Sequence, residues 1–231
     1  MAVASNDQKL QAVTDIIIIS FFFLLRPGEY TGTKSDSSPF RLSDVTFSFV
    51  RMLFETATAT DNQLAAAIIL ILVFATQKNG VRCEKIGHGA TGDPLLCPKE
   101  ALRRRLAHLQ QHGAPKDTPL ARFKTHRGRC TNVSRTMITS HLKATFKILA
   151  GTHLGFTYKD VSARSLRAAG TMALLCSGVD TDIISLIGCW RSEKILRYLH
   201  VQAEPIMRVY SKFMISHGNY NLLPHNEVPI Y

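Results

Sequence analysis

The run Ile-Ile-Ile-Ile-Ser-Phe-Phe-Phe-Leu-Leu, residues 16–25, constrains the fold of this chain more than any other stretch. It is strongly apolar, yet its ten residues are only half of the roughly 20 that a membrane span needs. Asp15 precedes it and Arg26 follows it. The run therefore reads as part of a buried helix whose apolar side must pack inward. Arg26-Pro-Gly-Glu ends that helix, because proline and glycine do not readily continue one. The first fifteen residues include Asp7 and Asp15 and no basic cluster, so they do not have the form of a cleavable signal sequence.

Elsewhere the helix and strand signals are mixed. Val45, Phe47 and Phe49 share a parity within Leu42–Phe49, the period-2 pattern of a strand. Leu64–Thr76 is rich in Ile, Leu, Val and Ala and suits helix or strand, but Asn79-Gly80 is a hairpin turn signal, with Val81–Ile86 as the return strand. Pro98 suits the first turn of a helix with Leu102, Leu106 and Leu109 on one face, stopped by Gly113 after His112. Further helices are predicted over Asn132–Leu149, Ser165–Ser177, Thr181–Leu186 and Ser192–Val201, with Gly178 and Gly188 as breaks. The sum is a mainly α domain with a small antiparallel β-sheet (α+β), residues 1–215, followed by an extended tail, residues 216–231.

The 231 residues suffice for one large domain with a real core. The net charge of +11 favours an anionic partner, nucleic acid before membrane. Lys99–Arg167 holds fifteen Lys and Arg against the acids Glu100, Asp117 and Asp160, which points to a binding face there. Arg103-Arg104-Arg105 and Arg122–Arg129 read either as DNA-backbone contacts or as solvated faces. Five cysteines without a Cys-x-x-Cys pair suggest neither a disulfide framework nor a zinc site. His108 and His112, at i, i+4, lack the glutamate and third ligand of a zinc protease and read as surface residues. There is no Walker loop, dinucleotide fingerprint or serine-hydrolase elbow, and no metal or cofactor is expected.

The segment 164–198 carries the chemistry. Arg164-Ser-Leu-Arg167-Ala-Ala-Gly170 opens a helix with two guanidinium groups, and Gly188-Cys-Trp190 follows, with Tyr198 ten residues beyond Gly188. Guanidinium forks match phosphate oxygens bidentately and do not deprotonate, while a phenol is a nucleophile. These residues, together with Arg26-x-x-Glu29 and Leu42-Ser-Asp-Val, resemble the two active-site boxes of the tyrosine recombinases. The Ser-Leu-Arg, Gly-x-Trp and Leu-Arg-Tyr wording is most similar to eukaryotic mobile-element recombinases of the DIRS and Crypton kind.

The resemblance covers about residues 15–215 and implies the family's helical catalytic domain with a small sheet. It implies that Arg26 and Arg167 hold the non-bridging oxygens of a DNA phosphate, with Glu29 orienting Arg26. Lys78, on a hairpin, protonates the leaving 5′ oxygen, and Trp190 donates its indole N–H and buttresses the nucleophile. Tyr198 attacks to give a 3′-phosphotyrosine, without metal or nucleotide cofactor. Arg164 stands where the family usually has His and cannot shuttle a proton near neutral pH, so activity is expected to be impaired. The other reading is an inactive or domesticated DNA-binding remnant, and a third takes Ser165–Val201 as a helix-turn-helix reader of duplex DNA. The implied partners are double-stranded DNA, further copies in a tetramer on DNA, and a separate amino-terminal clamping domain, since twenty-five residues precede Arg26. A nuclear or DNA-associated location follows from the same resemblance, with no membrane attachment.

Overall fold

The computed structural model describes residues 7–31, 39–49, 52–56, 59–74, 84–125, 127–148 and 157–190. In chain order the helices and strands are α1 (Gln8–Phe22), α2 (Pro27–Thr31), β1 (Val45–Phe49), β2 (Met52–Glu55), α3 (Asp61–Ala66), β3 (Ile69–Phe74) and β4 (Glu84–His88). They continue with α4 (Pro98–Gln111), β5 (Arg122–Lys124), β6 (Cys130–Asn132), α5 (Arg135–Ile148), α6 (Ser165–Cys176) and α7 (Thr181–Ile187). Helix dominates, beside a four-stranded antiparallel sheet in the order β2-β1-β3-β4 and a two-stranded ribbon β5-β6. Among the described residues no helix is long and apolar enough to cross a membrane.

Helix α1 is the hub. Asp7 caps its start by accepting the Lys9 and Leu10 N–H groups at 2.9 and 3.2 Å. From there α1 touches α4, α5, α6 and β5, which is why its isoleucines can face nearly every direction. Ala12, Val13, Ile16, Ile18, Ile19 and Phe23 are all buried. A helix apolar on all sides is stable only when surrounded in this way.

One charge sits inside this apolar hub. Asp15 is fully buried and accepts from Arg104 Nε of α4 at 2.8 Å and from Gln11 Nε2 at 3.0 Å. Burial raises its carboxyl pKa above the usual range, and the Arg104 charge pulls the other way.

Helix α4 follows the predicted face, with Leu102, Leu106 and Leu109 buried and Gly113 past its end at φ 60°. Within Arg103-Arg104-Arg105, Arg105 is a correction to both readings. Each of the three has an intramolecular partner, and Arg105, being buried, is neither a solvated residue nor a DNA contact. Arg103 holds Glu100 and Asp61, Arg104 holds Asp15, and Arg105, 1% exposed, donates to the carbonyls of Leu120 and Arg122. Burial pushes the Arg105 pKa down to about 10. Lys99 is used the same way, its ammonium 2.7 and 2.8 Å from the Ala65 and Ala67 carbonyls at the end of α3.

The sheet departs from expectation in detail. β3 and β4 pair antiparallel between Ile69–Phe74 and Glu84–His88, as the hairpin reading required, while Leu64–Ala66 belongs to helix α3 and residues 75–83 lie outside the described residues. Lys78 and Asn79-Gly80 lie outside the described residues. The predicted helix over Asn132–Leu149 begins at Arg135, because Cys130–Asn132 pairs with Arg122–Lys124 as a ribbon. Strands β2, β5 and β6 had no period-2 apolar signal long enough to read.

Candidate functional site

The ends of α1 and α7 meet the start of α6, and Arg167 is the residue that joins them. It lies on the first turn of α6 and is 4% exposed. One terminal nitrogen donates to the Leu24 carbonyl at 2.7 Å, and the other donates to the Gly188 carbonyl. Its guanidinium carbon stands 4.1 Å from the Trp190 ring centroid, a cation–π contact in a desolvated place. Both carbonyls belong to carboxyl-terminal helix turns, where unsatisfied C=O groups and the helix dipole favour a cation.

Those two turns share a construction. At the end of α7 the Trp190 N–H reaches Ser185 O at 2.9 Å and the Cys189 N–H reaches Leu186 O at 3.1 Å. This is a Schellman cap with Cys189 in the left-handed position at φ 53°. At the end of α1 the Leu25 N–H reaches Ser20 O at 3.0 Å, with Leu24 left-handed at φ 51°. The comparable caps after α4 and α6 use Gly113 and Gly178 at that position. A side-chain-bearing residue in this backbone region costs about 1–2 kcal/mol. The two caps that accept this cost are the two that hold Arg167.

Two glycines make the packing possible. A Cβ on Gly170 would lie 2.3 Å from the Phe21 carbonyl oxygen, so α6 presses against the last turn of α1 only because that atom is missing. This is the close approach expected of Gly170. A Cβ on Gly188 would lie 1.8 Å from the Trp190 ring, which folds back over it.

Arg26 follows immediately after the α1 turn. Its Nη1 donates to Glu29 Oε1 at 2.9 Å, and the Glu29 carboxylate also accepts the Arg26 main-chain N–H, so α2 begins with a carboxylate reaching back over its start. A third of the Arg26 side chain remains exposed. Glu29 thus orients Arg26, while the α1 carbonyl at Leu24 is taken by Arg167. Arg164 precedes α6 and is exposed. It shares a helical turn with Arg167 but not its buried environment. The first turn of α6 contains no acidic residue. Helix amino termini favour anions, so the exposed Arg164 is poorly placed for the α6 dipole unless an anion accompanies it, whereas the Arg167 guanidinium is directed to the carboxyl-terminal turns of α1 and α7.

The structure thus brings Arg167 and Trp190 together, with Arg26 two residues beyond the Leu24 carbonyl that Arg167 holds and Arg164 exposed three residues before Arg167. Lys78 and Tyr198 lie outside the described residues. Sequence reasoning missed the supporting residues. Tyr30 is buried and donates its hydroxyl to Ala163 O at 3.1 Å, tying α2 to the segment before α6, and burial holds its phenol pKa well above the ordinary value. His88 of β4 lies edge-on to Phe23, centroids 4.5 Å apart, under the end of α1, and burial holds its imidazole below the ordinary pKa. Nothing in a single chain marks either residue, since their roles depend on partners remote in sequence. Among the described residues no three His, Cys, Asp or Glu side chains group to hold a metal.

No protein-family model matches the chain, and no curated protein does. Among solved structures, it is similar to the Tn1549 transposon integrase in complex with circular intermediate DNA, at 13% identity and a TM-score of 0.42, covering 88% of this chain and 58% of that one. A variant of that integrase with circular intermediate DNA matches at 13% identity and a TM-score of 0.43, covering 91% and 61%. A further variant with transposon right end DNA matches at 12% identity and a TM-score of 0.42, covering 88% and 58%. The chain thus spans about three-fifths of the length of those chains. The likeness is one of broad chain arrangement, and the roles of these residues rest on their own geometry.

Proposed function

We propose that this domain breaks and rejoins DNA in the manner of a tyrosine recombinase, with Tyr198 as nucleophile and a 3′-phosphotyrosine as intermediate. The observation that carries the reading is that Arg167 joins the turn at Leu24, two residues before Arg26, to the turn at Gly188 and to Trp190, from opposite ends of the described chain. The exposed Arg164 at the acid-free start of α6 supports an anionic ligand there, and the overall charge of +11 supports a polyanion. In this reading Arg26 and Arg164 face the scissile phosphate, Lys78 delivers a proton to the leaving oxygen, and Arg167 and Trp190 form the floor of the site. Atoms balance without a cofactor. The phenolate oxygen bonds to phosphorus, the 5′ oxygen leaves with a proton, and rejoining reverses both steps. Double-stranded DNA is the substrate, further copies and an amino-terminal clamp are the implied assembly, and mobile-element DNA in a nucleus is the implied setting.

The test is covalent trapping on nicked duplexes that lose their 5′ leaving fragment. A denaturant-resistant adduct formed by the wild-type chain and absent from Tyr198→Phe is the expected result; an adduct undiminished in that variant rejects the assignment.

One observation favours a second reading, DNA binding without chemistry. Both terminal nitrogens of Arg167 are on main-chain carbonyls, and Arg164 occupies the place of a proton-transferring histidine. That reading predicts duplex affinity that falls steeply with salt and no adduct under any condition.

A further inference from the structure

We propose that the β5–β6 ribbon is a phosphate-backbone contact surface for duplex DNA, rigidly mounted and distinct from the Arg26–Arg167 site; the proposal rests on DNA being this chain's partner. Residues 122–132 hold four basic residues, Arg122, Lys124, Arg127 and Arg129, and no acid. Among the described residues none of the four enters an ion pair, whereas Arg103 and Arg104 of α4 each do. The two arginine-rich stretches, indistinguishable by composition, are thus separated by their use. Arg103 and Arg104 are held in ion pairs and Arg105 is buried, whereas Arg122, Arg127 and Arg129 are exposed.

The mounting explains why the ribbon presents charge in a fixed direction. Phe123 is 1% exposed, and in a strand its neighbours Arg122 and Lys124 project from the opposite face. Arg122 pairs with Asn132 and Lys124 with Cys130 across the ribbon. The connecting turn is closed by the Thr125 N–H to Arg129 O and the Gly128 N–H to Thr125 O, both at 2.8 Å, with Gly128 at φ 77°. Arg127 and Arg129 are exposed on that turn. Arg105, buried beneath, clamps β5 through the Leu120 and Arg122 carbonyls. Beside the ribbon lies an open recess of about 420 Å³, lined by Arg122, Lys124 and His112, with Asp117 as its carboxylate. Arg122 and Lys124 against the single carboxylate of Asp117 suit a phosphate better than a cation. A row of guanidinium and ammonium groups carried on a ribbon positions a phosphate backbone rather than reading bases.

The experiment is the salt dependence of duplex binding by the full chain, for wild type, Arg127→Gln/Arg129→Gln and Arg103→Gln. Each lost phosphate contact lowers the slope of log affinity against log salt by about 0.9. The expected result is a slope shallower by about 2 in the ribbon variant, with the same loss on unrelated sequences and an unchanged melting temperature. Arg103→Gln should keep the wild-type slope. An unchanged slope in the ribbon variant overturns the proposal while leaving strand transfer intact, and so does a loss of binding to anionic vesicles without a loss on duplex. Ribbon-dependent binding with no Tyr198 adduct does the reverse. Absence of any duplex binding by the wild type overturns both.

Discussion

Arg167 is best understood through what its removal would strand. Arg167→Met keeps the apolar stem but leaves the Leu24 and Gly188 carbonyls buried without these donors. An unsatisfied buried acceptor costs about 1–3 kcal/mol, so the variant should lose about 3 kcal/mol in urea unfolding. Trp190 is the single tryptophan of the chain, so its fluorescence should shift in the same variant, reporting the lost cation–π contact directly. Arg167→Lys should fall between the two, because an ammonium lacks the planar fork that reaches two carbonyls at once.

At the scale of elements, the helices owe most to partners, and α1 to α4 above all. Asp15→Asn would leave Arg104 facing an uncharged partner within the core. Breaking a buried pair from one side costs about 3–5 kcal/mol; with 20% of the Arg104 side chain still exposed, the lower end is expected. Asp15→Leu/Arg104→Leu should recover most of that loss in the same denaturation experiment. What the sequence made legible follows from how local each signal is. The end of α4 was readable because Gly113 and Pro98 state its limits, and the end of α6 because Gly178 does. The ends of α1 and α7 were readable as positions but not as structures, since Leu24 and Cys189 adopt a backbone that their residue types disfavour. Three-residue strands such as β5 and β6 are too short to show a period, and they exist because Phe123 finds a pocket under α1 and α4. The arginines at 26, 164 and 167 could be nominated by spacing, but only tertiary packing separates the buried one from the exposed ones.

The whole molecule carries a pH dependence that can be signed. His108, half-buried between α4 and the ribbon, is pushed down to about 4 by burial, assisted by the charges of Arg105 and His112. Between the unfolded value of about 6.5 and about 4, the unfolded chain takes a proton that the folded chain refuses. Stability therefore falls as pH drops through that window and is unaffected above it. His88 acts in the same direction, and Asp15, with its raised pKa, acts in the opposite one. Melting temperatures at pH 7.5 and pH 5 should differ, and His108→Gln should narrow the gap. The Arg167 bridge also has a kinetic meaning. Its bond to Leu24 closes 143 residues of chain, and long closures come late because their entropy must be met before their contacts form. In stopped-flow refolding, helical circular dichroism should therefore recover before Trp190 fluorescence, making the arginine junction the last part of the domain to assemble and the first to open.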